Sequence, residues 1–148
     1  MNYQGYIELN HNNDDAFEEL FKAVIIELLS DQTNLAIWLM NEIDFSLFNT
    51  QKIGAESPFK DSNSILAGSG LLIKVEPNTI NELIQTFSTG YLTSEVLHLQ
   101  IEAEYSIQFE AYDHFECIFF GNKISLELLD DLKIRGVIDH YEICQEKS

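Results

Sequence analysis

Apolar and polar residues alternate along residues 97–111, in the middle of the chain. Every odd position there is apolar or aromatic, whereas the even positions are polar and include Glu102, Glu104 and Glu110. Side chains of a β-strand point alternately to the two faces of a sheet, so the pattern predicts one dry and one wet face. Because no Gly, Pro, Asn or Asp lies between residues 95 and 112, we predict one long strand, bent or bulged near Glu102–Glu104, in preference to a hairpin with an odd-numbered loop.

Three other stretches carry apolar residues at helical spacing. The first helix is predicted from the N-cap candidate Asn13 to about Leu29, and the second from the capping-box pattern Thr79–Glu82. The third follows Ser125. Alternating or continuous apolar runs predict further strands at 3–9, 35–40, 64–75, 115–120 and 137–144.

This order of elements predicts an α+β domain. We expect a mainly antiparallel β-sheet with about three helices packed on one face, which leaves the acidic face of the long strand open. Residues 64–144 are compatible with a ferredoxin-like βαββαβ unit preceded by an extra βαβ unit. The length of 148 residues predicts a single domain over residues 1–148, with an irregular loop at about 41–63 and a frayed tail at 145–148.

The charge of the chain is strongly one-sided. It has 25 acidic residues against 8 Lys and Arg, a net charge of −17. Such a field repels nucleic acids and anionic membranes, and it favours encounter with basic proteins or cations. We therefore expect no nucleic-acid partner and no membrane partner, although solubility alone would also account for the charge.

Two features of the sequence bear on the cellular location of the protein and on the state of its cysteines. The first ten residues lack the basic and apolar regions of a signal peptide, and no apolar run approaches the ~18 residues of a membrane span. The sequence therefore predicts a cytoplasmic protein. Cys117 and Cys144 lie in strand-like apolar runs, and we expect both to be buried as small hydrophobic residues.

The sequence contains no recognisable catalytic or metal-binding motif. Gly68-Ser69-Gly70 is followed by a strand-like run, which does not suit a nucleophile elbow or a phosphate loop. His98 and Glu102 would lie about 13 Å apart on a strand, too far to share one ion. We therefore predict no metal and no cofactor. Glu102 and Glu104, about 6.6 Å apart on a strand, could form an acid/base pair. However, polar neighbours make an enzyme the less favoured interpretation.

The leading hypothesis is a small acidic binding protein that recognises a basic protein partner, of the inhibitor or immunity type. Small acidic proteins that neutralise basic nuclease toxins have the same general character, which is an analogy of charge and size. The predicted contact residues lie on the wet face of the long strand and just beyond it: Gln100, Glu102, Glu104, Gln108, Glu110, Asp113 and Glu116.

Two alternatives remain open. The protein could be a small-ligand-binding domain or enzyme with a pocket between the sheet and the 41–63 loop, lined by Trp38, Phe45 and Phe48. It could also be a structural subunit that self-associates through an exposed strand edge. The sequence leaves the oligomeric state undetermined.

Overall fold

The computed structural model describes residues 3–41, 50–62, 64–66, 68–87 and 94–144. Its strands are β1 (Gly5–Leu9), β2 (Thr33–Leu39), β3 (Thr50–Ile53), β4 (Ser69–Lys74), β5 (Val96–Ala103), β6 (Ser106–Tyr112), β7 (Cys117–Phe120) and β8 (Ile138–Ile143). Its helices are α1 (Ala16–Leu28), α2 (Ile80–Thr86) and α3 (Leu126–Ile134). The strands form one antiparallel sheet in the order β3-β4-β2-β5-β6-β7-β1-β8. The predicted α+β class is confirmed.

The strand order places the two earliest strands between later ones. β2 lies between β4 and β5, which are joined in sequence through α2, and β1 lies between β7 and β8, which are joined through α3. Residues 64–144 therefore build no continuous sheet of their own. The ferredoxin-like arrangement is not confirmed.

The helices pack on one face of the sheet and form the main core with it. Leu20, Phe21 and Val24 of α1 are buried there at helical spacing. The ring of Phe21 meets that of Phe87 edge-on, with centroids 5.3 Å apart. None of the described helices is long and apolar enough to cross a membrane.

The predicted helix caps differ in how well they form. Ser125 caps α3 as predicted, because its hydroxyl accepts a hydrogen bond from the Leu128 N–H at 3.2 Å. Thr79 precedes α2 but makes no side-chain cap. α1 begins at Ala16, two residues later than an Asn13 cap implies. The Asn13 side chain instead accepts a hydrogen bond from the Asp15 N–H, which closes a turn before the helix.

The predicted long strand is in fact a hairpin, so that prediction is wrong. Ala103 at the end of β5 pairs with Ser106 at the start of β6. The two residues between them, Glu104 and Tyr105, have φ values of 51° and 71°. Such left-handed backbone at both central positions is characteristic of a type I′ hairpin turn, which glycine and asparagine usually occupy.

A β-bulge explains why the alternation continues through this turn. Ile101 pairs with Phe109, but the next residue, Glu102, pairs with Ile107. Gln108 is therefore an extra residue in β6. A two-residue turn alone would place the odd-numbered residues of β5 and β6 on opposite faces of the sheet. The extra residue reverses this change, so that Phe109 and Ile101 both face the helices.

Two further expectations are corrected. The 41–63 region contains a strand, β3, which pairs with β4 at the edge of the sheet; residues 42–49 and the tail 145–148 lie outside the described residues. Cys117 and Cys144 are exposed rather than buried. Cys117 begins β7 on the face away from the helices, and Cys144 directly follows β8 at the sheet edge.

Candidate functional site

The sheet face away from the helices, called the second face below, carries most of the predicted site residues. A row of paired residues crosses it through Leu72, Ala36, Gln100, Glu110, Phe119, Tyr6 and Glu142. The second face has two parts. We call the part on β3, β4, β2 and β5 the covered half, and the part on β7, β1 and β8 the open half, with β6 at the boundary.

A chain segment packs over the covered half and forms a second core. This cover segment comprises residues 54–66, of which all but residue 63 are described. The buried residues of the second core are Ala36, Trp38, Phe59, Leu66 and Ile107. The indole N–H of Trp38 donates a hydrogen bond to the Gly54 carbonyl at 3.1 Å. Trp38 thus lies in a packed core at the position where a ligand pocket was predicted, whereas Phe45 and Phe48 lie outside the described residues.

Gln100 fastens the cover segment to the sheet. Its side-chain oxygen accepts a hydrogen bond from the Ser57 hydroxyl at 2.5 Å. Its amide nitrogen lies 3.1 Å from the Ser62 hydroxyl, 3.0 Å from the Tyr112 hydroxyl and 3.4 Å from a Glu110 oxygen. Because the amide has two hydrogens, these three acceptors share them. Gln100 is fully buried, so the contacts replace its hydrogen bonds to water.

Glu110 is a buried carboxyl group with neutral hydrogen-bond partners. It is only 6% exposed, and burial raises its pKa, while hydrogen bonds from Tyr112 and Gln100 partly oppose that rise. Burial also raises the pKa of Tyr112 to about 12. Burial therefore disfavours the charged form of Glu110, and its neighbours are neutral donors, which suits a structural polar cluster better than a site for a cation.

His98 lies between the Gln100–Glu110 hydrogen-bond cluster and the turn that joins β6 to β7. Its Nδ1 atom accepts a hydrogen bond from the Asp113 N–H at 3.2 Å. Burial lowers the pKa of His98, although the charge of Asp113 opposes this. The side chain acts as a neutral acceptor for a turn backbone. Within the described parts of the chain, no three His, Cys, Asp or Glu side chains converge as metal ligands.

Three of the predicted contact residues are buried, which corrects the expectation of an open face at their positions. These are Gln100, Gln108 and Glu110. The Gln108 side chain accepts a hydrogen bond from the Lys123 N–H at 2.9 Å. It also occupies the space where a Cβ on Gly121 would lie. In this structure none of the three can contact a partner directly.

The other four predicted contact residues lie at opposite ends of β6. At one end, Glu102 is half-buried and Glu104 forms a 2.6 Å ion pair with Lys123. At the other end, Asp113 and Glu116 are exposed in the β6–β7 turn. The structure brings Gln100 and Glu110 together, but it separates these two acidic pairs by the length of β6, about 20 Å.

Aromatic side chains occupy the open half. The Phe119 ring lies at their centre, with centroid distances of 4.7 Å to Tyr3 and 6.5 Å to Tyr112. Tyr3 is 44% exposed, while Tyr6 and Phe119 are half-buried. The described residues therefore leave a partly exposed aromatic cluster on this half of the sheet.

Two carboxylates, Glu8 and Glu142, lie on the same half of the sheet as this aromatic cluster. Glu142 accepts hydrogen bonds from the Tyr6 hydroxyl at 2.6 Å and from His140 at 3.2 Å, and these bonds lower its pKa. The hydrogen bond from Tyr6 to Glu142 also raises the pKa of Tyr6 to about 12. Glu8 is exposed on the neighbouring strand. No Lys or Arg occurs in β7, β1, β8 or the turn 113–116, so the charge here is one-sided.

The residues of the open half were not predicted as a site from the sequence. The apolar run at 115–120 predicted a strand, but it did not indicate that Phe119 would be partly exposed. The available signal was in the first strand, where Tyr6 and Glu8 alternate with the buried Ile7 and Leu9. Alternation of this kind predicts a second, wetter face, although it does not show which strands adjoin it.

A groove of about 940 Å³ on the helical side offers a second concave surface. Its lining carries both signs of charge, including Lys22 and Arg135 beside Glu18, Glu19 and Glu27. Arg135 already lies 3.5 Å from Glu19. The groove therefore lacks the uniform charge that distinguishes the open half.

No protein-family model, curated protein or solved structure matches this chain.

Proposed function

We propose that this protein binds a basic protein partner through the open half of the second face, in the manner of an inhibitor or immunity protein. The supporting observation is the partly exposed aromatic cluster around Phe119, placed among carboxylates on three strands that contain no Lys or Arg. Rigid aromatic surface together with uniform negative charge is suited to a protein partner rich in Lys and Arg.

Both components have a physical role in such binding. Tyr and Phe rings contribute large apolar area with few rotatable bonds, and the face of a ring attracts an Arg guanidinium. Carboxylates such as Glu8 and Glu142 give electrostatic complementarity, which raises the association rate and makes it sensitive to salt. A partner would also cover the part of Phe119 that now contacts water.

The residues predicted from sequence take different roles in this proposal. Asp113 and Glu116 adjoin the open half and extend its acidic border. Glu102 and Glu104 lie at the far end of β6 and contribute to the long-range field. The buried Gln100, Gln108 and Glu110 support the sheet from within.

The test compares three baits in a lysate of the source cells. The first is the wild type, and the second carries Glu8→Lys, Glu142→Lys and Phe119→Ser on the open half. The third is a matched control on the helical side with Glu82→Lys, Glu127→Lys and Ile134→Ser, all at exposed positions. It has the same change in net charge and also loses one large apolar side chain.

We expect the wild type and the helical-side control to retain the same basic protein, and the open-half variant to lose it. Raising the salt from about 0.1 M to 1 M, which shortens the Debye length from about 10 to 3 Å, should release it. Circular dichroism would verify that all three baits are folded. If no basic protein is retained, or if the open-half variant retains it equally well, the proposal is wrong.

A further inference from the structure

The two edges of the sheet differ in how they are protected against strand pairing. β3 has four residues, TQKI, including a lysine. β8 has six residues, IDHYEI, with no Lys, Pro or Gly. Natural proteins usually protect an exposed edge with short strands, lysine, proline or bulges. β3 has two of these devices, whereas β8 has one, a bulge at Asp139, beyond which residues 140–143 pair regularly with β1.

Hydrogen bonding to β1 shows which β8 groups face the free edge. The Cys144 N–H donates to the Gln4 carbonyl at 2.8 Å, and a Cβ on Gly5 would overlap the Glu142 carbonyl oxygen. Residues 140, 142 and 144 therefore direct their backbone groups towards β1. Because the direction alternates along a strand, Tyr141 and Ile143 direct theirs outward. Among the described residues, β8 pairs only with β1.

We infer that the basic partner binds by adding a β-strand along the free edge of β8, next to the open half. This inference rests on the proposed function and specifies its geometry. The added strand would satisfy the outward N–H and C=O groups of Tyr141 and Ile143. Side chains on one of its faces would continue the row that ends at Glu142 and extend the open half by one strand.

The composition of β8 favours a basic strand as the occupant. Asp139 and Glu142 are both exposed, and the strand contains no Lys or Arg. Opposite charges on neighbouring strands stabilise their pairing, whereas like charges destabilise it. Ile143, which is 46% exposed, offers apolar contact at the end of the strand. A second copy of this chain would instead bring two acidic strands together.

Amide hydrogen exchange tests this geometry directly. The basic protein recovered in the capture experiment is identified, produced in pure form and added to the wild-type protein. We expect the Tyr141 and Ile143 amides to exchange at least about tenfold more slowly in the complex, because each gains a hydrogen bond. The His140 and Glu142 amides face β1 in the free protein and provide an internal control that should change much less.

A pair of substitutions at one position gives an independent measure. Ile143→Pro removes an outward N–H and leaves the β1 hydrogen bonds in place. Ile143→Thr keeps the N–H and the β-branched shape. We expect proline to weaken binding of the recovered protein by roughly tenfold and threonine by less than about threefold.

The outcomes separate the inference from the proposed function. If the basic protein binds but the Tyr141 and Ile143 amides exchange as before, strand addition is wrong and the proposed function stands. If no basic protein is retained, both fail. If the two amides are protected only in a species with twice the mass of the chain, the edge pairs with a second copy and the inference is overturned.

Discussion

The covered and open halves of the second face are built from strands with similar alternation of side chains, but the side chains of the two halves differ in burial. Trp38, on β2, is fully buried beneath the cover segment, whereas Phe119, on β7, lies in the opposite half with its ring partly in water. Both positions follow the same alternation. The difference arises because residues 54–66 fold back over one half, while no described residue packs over the other in the same way. A neighbouring segment, rather than the strand itself, decides the burial of this face.

The polar groups of the two halves differ correspondingly. In the covered half, Gln100 joins Ser57, Ser62, Tyr112 and Glu110 in one hydrogen-bonded cluster. In the open half, the hydrogen bonds of Glu142 with Tyr6 and His140 are exposed. The polar groups of the covered half join the cover segment to the sheet, whereas those of the open half remain exposed.

Removing the central ring of each half should show this difference most strongly. Trp38→Ala creates a cavity in a packed core and should lower the free energy of unfolding by about 3–5 kcal/mol. Phe119→Ala removes a half-exposed ring and should lower it by about 1–1.5 kcal/mol. Urea unfolding followed by circular dichroism measures both. Equal losses would mean that the open half is as tightly packed as the covered half.

Breaking the Gln100 cluster should have the next largest effect. Gln100→Met keeps the side-chain volume but leaves Ser57, Ser62 and Glu110 without their shared partner. We expect a loss of about 2 kcal/mol, together with faster amide exchange in the cover segment. The matched control is Gln51→Met, an exposed position on β3 in the same row across the sheet. The control should change stability by less than about 0.5 kcal/mol. An equal effect would show that Gln100 does not fasten the cover segment.

Periodicity predicted the helices, most of the strands and the α+β class, because burial of one face imposes a repeat on each element. It did not predict the hairpin at Glu104–Tyr105, since neither residue favours left-handed backbone. Tertiary contacts hold this turn: the Glu104 N–H donates to the Gln32 carbonyl at 2.9 Å, and its carboxylate pairs with Lys123. Contacts of this kind, distant in sequence, leave no local pattern.

The candidate site was less predictable for the same reason. The acidity of the 97–111 region was evident, but the burial of Gln100 and Glu110 depends on Ser57 and Ser62, which come from an irregular segment. The open half depends on β1 lying between β7 and β8. Long-range pairing brings Tyr6, Phe119 and Glu142 into one row, and no spacing in the sequence indicates it.

The smallest expected effect is an increase in the free energy of unfolding, and it concerns the charge of Glu110. Burial raises its pKa in the folded protein above the ordinary value of 4.5. Its protonated form therefore contributes stability that is fully present below pH 4.5 and is lost as the pH rises through the raised pKa. Glu110→Gln keeps the shape and removes the charge. At pH 7 it should raise the free energy of unfolding by about 1 kcal/mol.

The pH dependence of that gain distinguishes a buried charge from a general effect of the substitution. The gain should shrink as the pH falls towards 4.5, because the wild-type carboxyl group then becomes neutral as well. His98 titrates in both proteins and cancels in the difference. Glu116→Gln removes the same charge from an exposed turn and should change stability by less than about 0.5 kcal/mol. If Glu110→Gln is destabilising at pH 7, hydrogen bonds stabilise the Glu110 charge by more than burial disfavours it, and the difference between the polar groups of the two halves is smaller than inferred above.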